Sequence, residues 1–421
     1  MTLLLWSAAF VALVLAVRRA RAEELAGTAP TLQEILLVAA GLRLLLLPLP
    51  ATLSNDVLRY VWDGRAVVSG HNPYALAPDS ESLAGLRDDL WQRMDHRQVP
   101  TVYPPLALAA FSWAALMPLP APGQVVALKS LLAIADLGAC AALVYLARRR
   151  AMPPHRVLWY AWNPLAALEV AGMGHVEGLG VAATVGAVLW LRRSETAASL
   201  AAGAGVLAKL VPLTLIPLWG LQCRRPWVFW ALTAGVLVAG LLPVGLSVHG
   251  VPPGLKTYGV SWEFNGPIFE PLWRGLDALG STSAVEGWLD ARKSASGDIA
   301  SWNRWYPFNY PQLHAKLMLT AALGLAVLLL SFRASDAVAG SGRVLSAVLL
   351  CSATLYPWYL LWILPWAALC RQRAWLALSG LSLLSYLPRL FPGVELFPWV
   401  FAFIWGPFAL LFLRFSAWST D

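Results

Sequence analysis

The sequence predicts an all-α, polytopic integral membrane protein, and three observations predict it. The 421 residues have a mean hydropathy of +0.61, and only 13% are charged, which no soluble domain of this length resembles. Apolar stretches of membrane-helix length recur from end to end. The arginines cluster between those stretches, as short cytoplasmic loops require. The net charge of +8 is therefore a topology signal and not the mark of a nucleic-acid partner. Cys140, Cys223, Cys351 and Cys370 lie in or beside apolar segments without metal-ligand spacing, and read as small apolar packers. No internal repeat stands out, so residues 1–421 read as a single transmembrane domain.

The first apolar stretch, 2–17, has no basic region before it and ends in Arg18-Arg19-Ala20-Arg21. It reads as a retained helix with its N-terminus outside, not as a cleaved signal. Further apolar segments follow at 32–50, 124–147, 155–171, 176–191, 227–247, 313–331, 344–356, 358–370, 374–390 and 397–413. Two stretches are ambiguous. Residues 104–119 are short and flanked by prolines, and 197–221 are interrupted by Lys209 and Pro212. The arginine clusters at 18–21, 148–150, 192–193, 224–225, 333 and 343, 371 and 373, and 414 share the cytoplasmic face only if both ambiguous stretches cross an even number of times. Each is then a half-spanning hairpin or a pair of short helices, which is tolerated where protein or a cavity surrounds it. The expectation is about 11–13 transmembrane helices, some broken, with two large outer loops at 51–103 and 248–312. Both exceed simple connections, and the polar exceptions gather there, so an active cavity is expected at the outer membrane face.

Ser54-Asn55-Asp56-Val57-Leu58-Arg59-Tyr60 opens the first outer loop directly after an apolar run. A carboxylate at the mouth of a membrane helix is a functional candidate by default; the plainer reading is a loop aspartate that caps the next helix. Asp56, Arg59 and Asp63 share a helix face by their spacing, and Tyr103 before two prolines is a candidate cavity wall. Glu169 lies inside an apolar segment, where it must find a partner or be neutral. His175 and Glu177 sit at an outer turn, as a phosphate or sugar contact or as ordinary turn residues; two such ligands do not make a metal site. Lys209 either neutralises a lipid phosphate or snorkels to the inner interface. In the second outer loop, Trp262, Glu263 and Asn265, and later Trp302 to Tyr306, alternate flat rings with polar groups, which suits stacking on a sugar or simple amphipathic packing. His314, with Lys316 nearby, binds phosphate or caps its helix. Tyr356, Trp358 and Tyr359 form a kinked aromatic run that lines a groove for an isoprenoid chain or belongs to the interfacial belt.

Taken together, Asp56 to Tyr60, Trp62-Asp63-Gly64, Gly70-His71-Asn72-Pro73-Tyr74, Tyr103-Pro104-Pro105, Trp262-Glu263-Phe264-Asn265 and Pro357-Trp358-Tyr359 resemble the polyprenol-phosphate-dependent glycosyltransferases of the GT-C fold. The resemblance is nearest to bacterial mannosyltransferases that extend lipomannans and phosphatidylinositol mannosides, and the enzyme that adds the first mannose to GPI anchors is similar in outline. It implies an inverting hexosyltransferase of the bacterial plasma (inner) membrane. Such an enzyme moves a sugar, with mannose favoured, from a polyprenyl-phosphate donor to a glycolipid or polysaccharide acceptor on the outer face. The resemblance makes Asp56 the catalytic base. It makes Arg59, His175, Lys209 and His314 candidates for the donor phosphate or the pocket. Asp63, Tyr103, Glu169, Glu177, Trp262, Glu263 and Asn265 become candidates for sugar or acceptor. No cofactor and no metal are implied, and no Gly-rich nucleotide loop is present. The competing class is a secondary transporter or flippase of lipid-linked sugars, which also carries broken helices and buried charges, but paired inverted halves are not seen.

Overall fold

The computed structural model describes residues 2–296, 306–415 and 418. These residues fold as helices throughout, and no β-sheet forms among them beyond isolated bridges of Phe264 and Asn265 to Thr354. Of the run expected from Trp302 to Tyr306, residues 302–305 lie outside the described residues.

Among the described residues, four helices are long and apolar enough to cross a membrane: Ala121–Arg149, Pro226–Ser247, Pro311–Arg333 and Leu396–Phe415. Of the other expected spans, the first lies in one continuous helix, Thr2–Leu25, and the rest are shorter helices or are assembled from pieces. The segment after Pro154 is one example. It runs as His155–Ala161, breaks at Asn163, whose side chain caps Leu165, and resumes through Pro164–Ala167 and a π-helical turn at Leu168–Gly172. Proline at the first helical position costs nothing there, because its missing N–H would have been unpaired anyway.

The arginine-bearing ends meet one another. Arg150 pairs with Asp336, His155 with Glu24 at 2.6 Å, and Arg156 donates to the Leu369 carbonyl at 2.9 Å. Gln222 donates to the Ala334 carbonyl at 2.9 Å. The chain therefore has a basic end, and residues 51–120 lie at the opposite end. Two charges that hydropathy passes over join the helices in between. Arg43 of Leu32–Leu46 and Asp136 of Ala121–Arg149 form a buried pair at 2.6 Å. Arg43 also donates to the Ala39 and Ala161 carbonyls, and the Tyr160 hydroxyl donates to Asp136. Lys129 donates to the carbonyls of Leu47 and Leu49 at 2.7 and 2.8 Å, which satisfies groups that the end of Leu32–Leu46 leaves without intrahelical partners.

One expectation is corrected. Residues 104–119 form neither a hairpin nor two helices but a single helix, Pro105–Ala115, of 11 residues. At 1.5 Å per residue that is about 16 Å, roughly half of a hydrocarbon core. It lies along Asp56–Val68: Tyr60 stacks on Phe111 at 4.5 Å, and Gln124 of the next helix bonds the Ala115 carbonyl and Arg65. Its buried face, Ala107, Leu108, Ala110, Phe111 and Ala114, packs within the protein, while Ala109 and Trp113 stay exposed. Both its ends stay at the cavity end, so the first loop region extends from 51 to about 120. Residues 197–221 form a pair of short runs. Glu195–Ala208 rises from the basic end to Lys209, and Val211–Leu215 with Ile216–Gln222 returns. The second loop region is also helical, as Pro253–Ser261, Phe269–Ala278 and Ser283–Ser296.

Candidate active site

A cavity of about 650 Å³ opens at the end opposite the arginines, within the size range of small-molecule sites. Asp56 lines it from the first residue of Asp56–Val68, where the helix dipole favours a negative charge. Its backbone N–H meets the Ser54 hydroxyl at 3.3 Å, and Asn55 is pinned to the Arg93 carbonyl at 2.9 Å. The carboxylate side chain is 37% exposed, so it reaches a bound molecule.

One wall is a column of four stacked rings. Phe264 lies on Tyr356 at 4.3 Å, Tyr356 on Trp358 at 4.4 Å, and Trp358 on His175 at 3.9 Å. The column joins the second loop region to the turn before Glu177–Trp190. Its outer ring is fixed because Phe264 donates to the Ala353 carbonyl at 3.0 Å and accepts from Leu355 at 2.6 Å. Tyr258 and Tyr359, whose hydroxyls lie 2.5 Å apart, complete this side with Trp262, which packs on His96 at 4.7 Å. Burial pushes the Tyr103 and Tyr258 phenols up. At neutral pH these groups are hydroxyls, able both to donate and to accept.

Lys209 enters where the break after Ala208 turns the chain back. Its ammonium is 2.7 Å from buried Glu177 and lies over the rings of Tyr103 and Tyr359 at 5.5 and 5.2 Å. Arg59 also lines the cavity, but it donates to Asp63 at 2.7 Å and to the carbonyls of His96 and Val99. It therefore holds the loop 96–99 against its own helix. Asp63 is buried behind it; burial pushes its carboxyl up, while Arg59 and the Thr101 hydroxyl pull it down.

The other expected residues divide clearly. Tyr103, Trp262, Tyr356, Trp358 and Tyr359 line the cavity. Glu169, Glu177 and His175 are buried just behind it. His175 stands between two carboxylates, with Nδ1 3.8 Å from Asp56 and Nε2 3.3 Å from Glu169. Those carboxylates approach different ring nitrogens. Among the described residues no group of three His, Cys, Asp or Glu side chains is placed to hold a metal ion. Three expected residues are not brought to the cavity. His314 faces the Phe308 carbonyl at 2.8 Å, Glu263 pairs with Lys316 at 2.8 Å, and buried Asn265 accepts from Trp405 at 2.8 Å. Their neighbours in sequence are aromatic or basic, which made them look like ligand contacts; each is instead satisfied by a partner within the protein. Asp95, His96, Tyr386 and Arg389 do line the cavity. Sequence reasoning passed over them because each sits in an ordinary-looking turn or helix end.

A family model described as alpha-(1->6)-mannopyranosyltransferase, N-terminal domain, matches residues 1–225, just over half of the 421 residues. That part carries Asp56, Tyr103, His175 and Lys209, and the rest of the aromatic column lies beyond it. No curated protein and no solved structure shows a significant match.

Proposed function

We propose that this chain, which belongs to the alpha-(1->6)-mannopyranosyltransferase family, is an inverting transferase that moves mannose from a polyprenyl-phosphate donor to a glycolipid or polysaccharide acceptor. The family description favours an α-(1→6) linkage. The arginine-bearing end faces the cytoplasm under the positive-inside rule, which turns the cavity outward, and the eleven apolar segments cross the bilayer in alternation.

The observation that carries this reading is the difference between Asp56 and the three carboxylates packed behind it. Asp56 is open to the cavity, whereas Asp63, Glu169 and Glu177 are buried behind it. An acceptor hydroxyl beside Asp56 attacks the anomeric carbon. The new C–O bond forms as the bond to the phosphate oxygen breaks, and Asp56 takes the hydroxyl proton. The bonding pair leaves with the polyprenyl phosphate, whose charge is met by two of the cations lining the same cavity, Lys209 and Arg389, Arg59 being engaged by Asp63. Direct displacement converts a β-linked donor into an α-linked product. The aromatic wall supplies flat faces and hydroxyls for the sugar, and the prenyl chain leaves between helices into the bilayer.

The test is transfer of radiolabelled mannose from polyprenyl-phosphate-mannose by purified wild type, Asp56→Asn and Asp95→Asn. A general base contributes about 100-fold or more, so Asp56→Asn should lose at least that much while Asp95→Asn stays near wild type. The reverse pattern would move the base to Asp95. No transfer by wild type, with sugar appearing inside sealed vesicles unlinked to any acceptor, would favour a transporter.

A further inference from the structure

We propose that Asp56, His175 and Glu169 form one proton relay, in which the proton taken from the acceptor passes from Asp56 to His175 and is held there against Glu169. This rests on the reading of Asp56 as general base.

The starting point is a set of buried polar atoms without hydrogen bonds. His175 is fully buried, and so is Glu169; both ring nitrogens and Glu169 Oε2 lack a hydrogen-bond partner. Buried polar atoms are nearly always paired, so such exceptions call for a reason. These atoms lie close to one another without making hydrogen bonds. Nδ1 is 3.8 Å from Asp56 and Nε2 is 3.3 Å from Glu169, while the other Glu169 oxygen accepts from the Tyr386 hydroxyl at 3.0 Å. The ring is held on one side. It is stacked on Trp358 at 14°, and Gly174 before it has a φ of +80° in a space where a Cβ would meet Val57 at 2.8 Å. Glu169 sits in the π-helical turn, a feature found frequently at functional sites.

A neutral imidazole with its proton on Nε2, toward Glu169, leaves Nδ1 bare toward Asp56. An ionised carboxylate and a bare nitrogen share no proton, and the two lie 3.8 Å apart. When Asp56 takes the acceptor proton, a small movement of its side chain closes the 3.8 Å gap and brings the new O–H onto Nδ1. Transfer gives an imidazolium between two carboxylates and restores the Asp56 charge while the phosphate departs. One proton enters the trio and none is created; after product release it returns through Asp56 to water in the cavity. The other ionisable groups around the ring are accounted for. Lys129 donates to the Leu47 and Leu49 carbonyls, Glu177 pairs with Lys209, and Tyr386 serves Glu169.

Glu169→Gln keeps the shape and removes the charge that holds the imidazolium. The expected result is kcat lower by roughly 10-fold with donor KM within about twofold of wild type. The acid limb of the kcat/KM profile should move to lower pH, because the relay binds protons less well. Tyr386→Phe deletes only the hydroxyl on Glu169, which leaves more of the carboxylate's charge to hold the imidazolium and should move the same limb to higher pH. That variant decides the matter if Glu169→Gln does not fold. Wild-type kcat and unmoved acid limbs in both variants, beside an inactive Asp56→Asn, would overturn the relay and leave the base standing. Full activity in Asp56→Asn would overturn both.

Discussion

Arg59 shows how little a residue's type says about its role until its partners are known. A guanidinium one turn from Asp56 invites a phosphate, yet its hydrogen bonds run to Asp63 and to two backbone carbonyls. Arg59→Ala strands the buried Asp63 carboxyl and should cost about 3 kcal/mol, read as a lower melting temperature in detergent. Arg59→Met with Asp63→Leu removes both charges and should restore much of that loss. If the double variant melts as low as the single one, the stranded charge is not the cause. Asp56 was legible in the sequence because an acidic group beside a run of leucines has a high desolvation cost wherever it goes. Asp95, His96 and Arg389 were not, since nothing local separates them from loop residues.

At the scale of elements, the decisive pair is Asp56–Val68 and Pro105–Ala115. Gly64 lets them touch: a Cβ there would lie 2.3 Å from the Phe111 carbonyl oxygen, a backbone atom that cannot move aside alone. Gly64→Ala should therefore lose about 1–3 kcal/mol and displace Asp56 from the cavity wall. It should lower both melting temperature and mannose transfer. Gly41→Ala, where nothing lies within 4 Å, is the control and should match wild type. Equal behaviour of the two would mean that the helices separate freely. The sequence located Pro105–Ala115 well but misassigned its surroundings. Its composition is apolar whether it faces lipid or another helix, and only its shortness and the placement of Arg148 to Arg150 argued against a single crossing.

At the scale of the whole molecule, the basic and cavity ends define an orientation that labelling can read. A cysteine at exposed Glu81 should react with a membrane-impermeant maleimide in intact cells, and one at exposed Arg192 only after lysis, each against a wild-type blank. The opposite pattern would turn the cavity to the cytoplasm and remove the outward reading. Between the two ends, the Arg43–Asp136 pair and Lys129 on two carbonyls tie the first helices together where hydropathy showed only apolar runs.

The sequence by itself determined the helical membrane class, the clustering of arginines between apolar segments, and the candidacy of Asp56 and Glu169. Each follows from a cost that a residue carries alone, the removal of a charge or a backbone group from water. Tertiary structure alone decided which groups meet: Asp56 and Glu169 across His175, Lys209 on Glu177, and Phe264 at the head of a ring column. Helical periodicity names a face but not what lies against it, and partners far apart in the chain are chosen only when the helices pack.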